Sequence, residues 1–136
     1  MRMSIRRPNQ FLHERVAMPF DHAAAADADR TDKLWKLPRA FRVERVLYVN
    51  PTGLVEHAAN FFVIKLTKGA TVVASWSTET GQEGTLTADT FVELTLSATD
   101  ANLVFAAGDE MKLFLDEASG IATLPAGRLV VEGFYL

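Results

Sequence analysis

The 136-residue chain contains no cysteine, which excludes a disulfide framework, a thiolate zinc site and a thiol nucleophile. No apolar run approaches the roughly 20 residues needed to span a bilayer as a helix, so no membrane partner is expected. Arg2, Arg6 and Arg7 resemble the basic start of a signal peptide, but no apolar stretch follows, and a cytosolic product is expected. Histidine is scarce: His13, His22 and His57 fall in three separate segments, without the paired spacing that metal ligation needs, and all three read as exposed loop residues. No segment from residue 39 onward has a helical period, and no repeat of 20–50 residues is present.

Apolar residues make up 49% and charged residues 23%, the composition of one globular domain with room for an appendage. The net charge of −3 is unevenly placed. Residues 1–20 carry four Arg against one Glu, whereas residues 39–136 carry seven Lys or Arg against twelve Asp or Glu. An acidic body argues against a nucleic-acid partner, which would require a basic face. The basic leader suits docking on an acidic surface.

Residues 1–38 differ in kind from the rest. Pro8 and Pro19 interrupt any helix, and Ala23 to Ala26 has room for only a helical turn or two. Leu34, Trp35 and Leu37 are large apolar groups with little nearby sequence to cover them. Residues 1–38 therefore read as an extended N-terminal arm lying on its own body or on another subunit.

Residues 39–136 read as an all-β domain. Strands are expected over residues 41–49, 61–66, 71–77, 91–97 and 106–116, with shorter ones at 85–87 and 103–105, and over 127–136, which is apolar on both faces. Turn residues separate them, as in Asn50-Pro-Thr-Gly and Lys68-Gly-Ala. Seven or eight short strands in this length predict an antiparallel β-sandwich of jelly-roll type, with an immunoglobulin-like sandwich as the alternative.

Two features stand out. Arg45 lies on the face of Phe41, Val43, Leu47 and Val49, so either it meets a buried carboxylate or a bulge turns it to solvent; the bulge is favoured. In addition Phe61, Val63, Val73, Phe114 and Phe134 lie opposite the apolar face of their own strands. A lone sandwich would be mostly polar there, so these positions predict burial against another subunit or beneath the arm.

Motifs for chemistry are missing. The carboxylates around Asp27 lack the glycine and terminal Glu of a calcium loop. Thr80-Gly-Gln-Glu-Gly-Thr shares two glycines with a phosphate loop but lacks its Lys and Ser/Thr, and reads as a mobile loop. Ser75, Ser77, Ser97 and Ser119 have no nucleophile context, and the pairs Asp109-Glu110 and Asp116-Glu117 point to opposite faces of their strands. No catalytic residue, metal site or cofactor is expected.

The body from Phe41 to Leu136 resembles small β-sandwich virion proteins of tailed bacteriophages, namely head decoration or cement proteins. The residues that carry the resemblance are Phe41-Arg-Val-Glu-Arg-Val-Leu-Tyr-Val-Asn-Pro-Thr-Gly, Val73-Ala-Ser-Trp-Ser-Thr, Gly84-Thr-Leu-Thr-Ala, Ala107-Gly-Asp and Leu124-Pro-Ala-Gly-Arg. The resemblance implies a non-enzymatic protein made in bacterial cytoplasm. It would assemble as a homo-oligomer, a trimer above all, on the capsid surface and bridge major capsid protein or other virion subunits. The arm would anchor it, with contacts expected at Arg6, Arg7, Phe11, Leu34, Trp35, Leu37, Phe61, Phe114 and Phe134. The alternative is a receptor- or glycan-binding module of a tail or head fibre, using the loop over residues 78–84.

Overall fold

The computed structural model describes residues 15–26, 28–118 and 122–136. Twelve strands follow in order: β1 (Arg15–His22), β2 (Ala25–Ala26), β3 (Arg30–Lys36), β4 (Phe41–Val49), β5 (Phe62–Lys68), β6 (Thr71–Ser77), β7 (Val92–Glu93), β8 (Thr95–Leu96), β9 (Val104–Phe105), β10 (Glu110–Glu117), β11 (Thr123–Leu124) and β12 (Gly127–Tyr135). A 3-10 turn, Asp100–Leu103, precedes β9.

Every ladder is antiparallel. One sheet runs β1-β12-β4-β7, with β9 also on β4, and the other runs β3-β10-β5-β6-β8. The pieces β7 and β9 together occupy one strand position beside β4, the two-residue β8 extends the other sheet beyond β6, and β2 with β11 forms a separate ribbon. With the short β8 set aside there are eight positions, ordered 1-8-3-6 and 2-7-4-5, the two interleaved Greek keys of a jelly roll. The fold is an all-β antiparallel sandwich.

From residue 15 onward the expected arm lies inside that sandwich, as its first two strands. In β1, Val16, Met18 and Phe20 pack against the core while Arg15, Ala17, Pro19 and Asp21 are exposed. Pro19 interrupts a helix but suits an edge strand, where its missing N–H can face solvent. The helical turns expected at Ala23 to Ala26 do not form; Ala25 and Ala26 pair with Leu124 and Thr123 instead. Leu37, expected to be uncovered, is 1% exposed in the core.

Between the sheets, Phe62, Ile64 and Leu66 of β5, Met111, Leu113 and Leu115 of β10, and Leu129 and Val131 of β12 are fully buried. Their strict alternation is what the period-two pattern predicts. Three bulges break the pattern elsewhere. Opposite Glu132 and Gly133, β4 carries one extra residue, Glu44. Ahead of the bulge Phe41 and Val43 point inward, and beyond it Val46 and Tyr48 do. The expected face of Phe41, Val43, Leu47 and Val49 is therefore corrected: Leu47 and Val49 point outward. Arg45 is turned to solvent, where Nε donates to Glu132 Oε1 at 2.8 Å. Gly133 is required there, because a Cβ would lie 2.9 Å from Cζ of Phe41 and overlap the Arg42 carbonyl. A second bulge leaves Val73 without a partner in β5 and lets both Val73 and Ala74 be buried, so Val73 is a core residue and Val72 the exposed one. A third, at Leu34 in β3, separates the pairs Met111–Trp35 and Lys112–Lys33.

The strand expected over residues 91–97 divides between the sheets. Val92–Glu93 pairs with β4 and Thr95–Leu96 with β6, while the buried Leu94 donates its amide to the Val46 carbonyl at 2.8 Å. Residues 85–87 form no strand; Leu86 bridges to Leu54.

Candidate functional site: the cleft between the first two strands

Among the described residues β1 and β3 are edge strands; they belong to different sheets but border the same side of the sandwich. A cleft runs between them in two halves that share Pro19 and Phe20. The apolar half, about 330 Å³, is walled by Val16, Met18, Phe20, Trp35 and Tyr135. The polar half, about 520 Å³, is walled by Asp21, His22, Arg30, Thr31, Asp32 and Leu34.

The register explains both halves. Directly opposed residues share a sheet face, and Trp35 opposes buried Met111 while Asp32 and Arg30 oppose buried Leu113 and Leu115. All three side chains therefore sit on the inner side of β3, at the mouth. Trp35 is 47% exposed there, an unusual state for the largest apolar side chain. Asp32 accepts from Arg30 Nε at 3.1 Å, which neutralises that pair.

Behind the polar half lies a buried chain of hydrogen bonds. His22 Nδ1 lies 2.7 Å from the Ala23 carbonyl, which can only accept, so Nδ1 carries the proton. Nε2 therefore accepts from the Tyr48 hydroxyl at 2.6 Å. The rings stack with centroids 5.6 Å apart. Asn50 Nδ2 donates to the Pro125 carbonyl at 2.8 Å and to the Tyr48 oxygen at 3.4 Å, while Asn50 Oδ1 accepts from the amides of Thr52 and Gly53. Gly127 leaves room for Tyr48, since a Cβ would lie 2.8 Å from its Cζ and from the Val49 carbonyl. Burial pushes the Tyr48 hydroxyl up to about 12 and holds the His22 imidazole below its ordinary value. The reading of His22 as an exposed loop residue is corrected by its 4% exposure. The signal was present: His22 is in phase with Val16, Met18 and Phe20, the buried face of a strand.

The expected contact residues scatter. Leu34 and Trp35 meet at the cleft, whereas Leu37 is withdrawn into the core. Phe61 is half-buried beside β5, its carbonyl accepting from Ala118 N at 3.1 Å. Phe114 lies on the outer face of the second sheet, opposite Thr31, with the Lys65 ammonium 5.5 Å from its ring centroid. Phe134 lies on the outer face of the first sheet, opposite Arg15 and Arg42. Those two phenylalanines are thus on opposite sides of the sandwich and cannot share one contact patch. Arg6, Arg7 and Phe11 lie outside the described residues, as do His13, Asp27 and Ser119.

Carboxylates expected in pairs have structural partners: Asp109 Oδ2 accepts from the Ala106 amide at 2.7 Å, and Asp116 from Lys65 Nζ at 2.8 Å. On the outer face of the first sheet, Arg15 pairs with Glu44, Arg45 with Glu132 and Arg128 with Asp21, and Arg42 pairs with Asp100 nearby. Their arginine partners hold Asp21 and Asp100 below the usual carboxylate range. The loop over residues 78–84 is tied down by Glu83 accepting from Ser77 N at 2.7 Å and by Trp76 Nε1 donating to the Gly84 carbonyl at 3.0 Å. Among the described residues no group of three or more His, Asp or Glu side chains is placed to hold a metal ion.

No family model matches the chain, and no curated protein matches it. Among solved structures, a chain in the structure of infectious bursal disease virus, Gx strain, is similar over 90% of this chain and 32% of its own, with 10% identity and a TM-score of 0.34. This chain therefore spans about a third of that protein's length. The jelly-roll assignment stands on the strand order of the chain itself.

Proposed function

We propose that this chain is a non-enzymatic structural subunit of a virion, a decoration or cement protein of a tailed-phage head made in the bacterial cytoplasm. In this reading it associates with copies of itself, as a trimer, and with capsid subunits. The observation that carries the proposal is Trp35, 47% exposed in an apolar cleft at one side of a jelly roll. A solvent-facing Trp beside Val16, Met18 and Tyr135 is the kind of anchor that protein interfaces bury. Half-buried Phe114 with exposed Val72 on the outer face of the second sheet supplies a second apolar patch. The side chains that chemistry would use, His22, Asp109 and Asp116 among them, are engaged in structural bonds, which supports binding rather than catalysis.

Light scattering on the full chain, with co-sedimentation on purified phage heads, tests the proposal. The expected result is an oligomer that sediments with heads, and a Trp35→Glu variant that remains folded but loses one or both associations. A wild-type chain that stays at 15.0 kDa and leaves heads unbound overturns it.

A further inference from the structure

We infer that the His22–Tyr48–Asn50 cluster is an acid-sensitive latch: when His22 takes up a proton, the His22 end of β1 and the β2–β11 ribbon come loose and the polar half of the cleft opens. The inference is independent of the virion reading.

The argument is one of hydrogen-bond counting. In the neutral tautomer every group has its complement: Nδ1–H donates to the Ala23 carbonyl, Nε2 accepts from Tyr48, and the Tyr48 oxygen accepts from Asn50. Adding a proton to Nε2 places a second donor against the Tyr48 oxygen, which must then turn its own hydrogen away. Asn50 presents an N–H on that side, and its Oδ1 is occupied by two backbone amides. Among the described residues the Tyr48 hydroxyl has no acceptor other than His22 Nε2, so protonation costs it that bond, and a buried polar group that loses its partner destabilises the closed arrangement.

The latch lies where two ladders end, at the pairs His22–Gly127 and Val49–Arg128, so it is placed where strand ends open first. His22 ends β1, Tyr48 lies near the end of β4 with Asn50 just beyond that strand, and Pro125 lies between β11 and β12. The ribbon beside them is only two residues long in each strand. Charged groups facing His22 do not rescue its protonated form. Asp32 on β3 favours the proton but is held by Arg30, which opposes it; Asp21 favours it but is bound by Arg128 of β12. Burial outweighs them all and keeps the imidazole neutral near physiological pH. The direction follows: the open form binds more protons than the closed form, so the latch is fully effective above about 6.5 and weakens as pH falls.

Amide hydrogen exchange of the full chain between about pH 7.5 and about pH 5 tests this. After correction for intrinsic rates, protection in residues 22–26 and 123–127 should fall by up to about tenfold per pH unit below 6.5, while Ile64 and Leu113 keep theirs. A His22→Gln variant should lose that pH dependence. An NMR titration of the wild-type imidazole keeps the test decisive if the variant does not fold: the expected midpoint is below 6.5. A His22 midpoint at or above the ordinary histidine value, or the same pH profile in wild type and variant, overturns the latch.

Discussion

Deletion of Glu44 tests the reasoning behind this fold most sharply. That residue is the extra one in β4, where the pairing with β12 passes from Arg45–Glu132 to Val43–Gly133. Removing it closes the bulge and forces one half of β4 through half a pleat period, because side chains alternate strictly along a strand. Either Phe41 and Val43 leave the core or Val46 and Tyr48 do, and all four are fully buried. At about 1.5–3 kcal/mol for each large side chain exposed, the loss is about 3–6 kcal/mol. That is a large share of the roughly 5–15 kcal/mol that stabilises an ordinary domain. With a urea dependence of about 1–3 kcal/mol/M, the midpoint should fall by on the order of 2 M. Glu44→Ala is the control, since it keeps the extra residue and a Cβ and removes the exposed bond from Arg15; its effect should be about 1 kcal/mol or less. Urea unfolding followed by far-UV circular dichroism reads both variants. A deletion variant that unfolds at the wild-type midpoint would mean that Glu44 is not the residue separating two inward-facing halves.

Gly127→Ala should destabilise the protein by about 1–3 kcal/mol in the same assay, because the added methyl would lie 2.8 Å from Cζ of the fully buried Tyr48 and from the Val49 carbonyl. Removing residues 1–38 should abolish the cooperative unfolding transition, since it strips β1 and β3 from the sheets and Leu37 from the core; a truncated body that still unfolds cooperatively would refute the strand assignment. The carboxyls of Asp21 and Asp100 are held low by Arg128 and Arg42, so their contribution is present above pH 3.8 and lost as pH falls through their lowered values. Acid titration of Asp21→Asn should show a smaller loss over that interval than wild type, and added salt should reduce the difference.

Much of the sandwich could be read from the residues. Alternation in β5 and β10 located those strands to within a few residues and assigned their buried faces, because period two is a local property; β12 is apolar on both faces and was legible as a strand only by its residue types. The bulges were harder. One extra residue reverses the phase of everything after it, so Arg45 and Val73 look misplaced until the partner strand shows where the count slips. At Arg45 the favoured reading, a bulge that turns the side chain to solvent, is what the structure contains. β1 was legible but was passed over: Val16, Met18 and Phe20 alternate with Arg15, Ala17 and Pro19, yet Pro19 was read as a break rather than as an edge-strand residue. The candidate site followed the same course. Trp35 and Leu34 stood out by size, whereas His22 could not be recognised as buried without β1.

By itself, the sequence determined the all-β class, the absence of thiol chemistry and the inward face of each regular strand, since these depend on residue type and on neighbours two positions away. The tertiary structure alone decided that β1 and β3 border one cleft, that Phe114 and Phe134 lie on opposite sides of the sandwich, and that His22 meets Tyr48. Those outcomes depend on which strands pair across tens of residues, and a pattern of period two is the same whichever partner lies alongside.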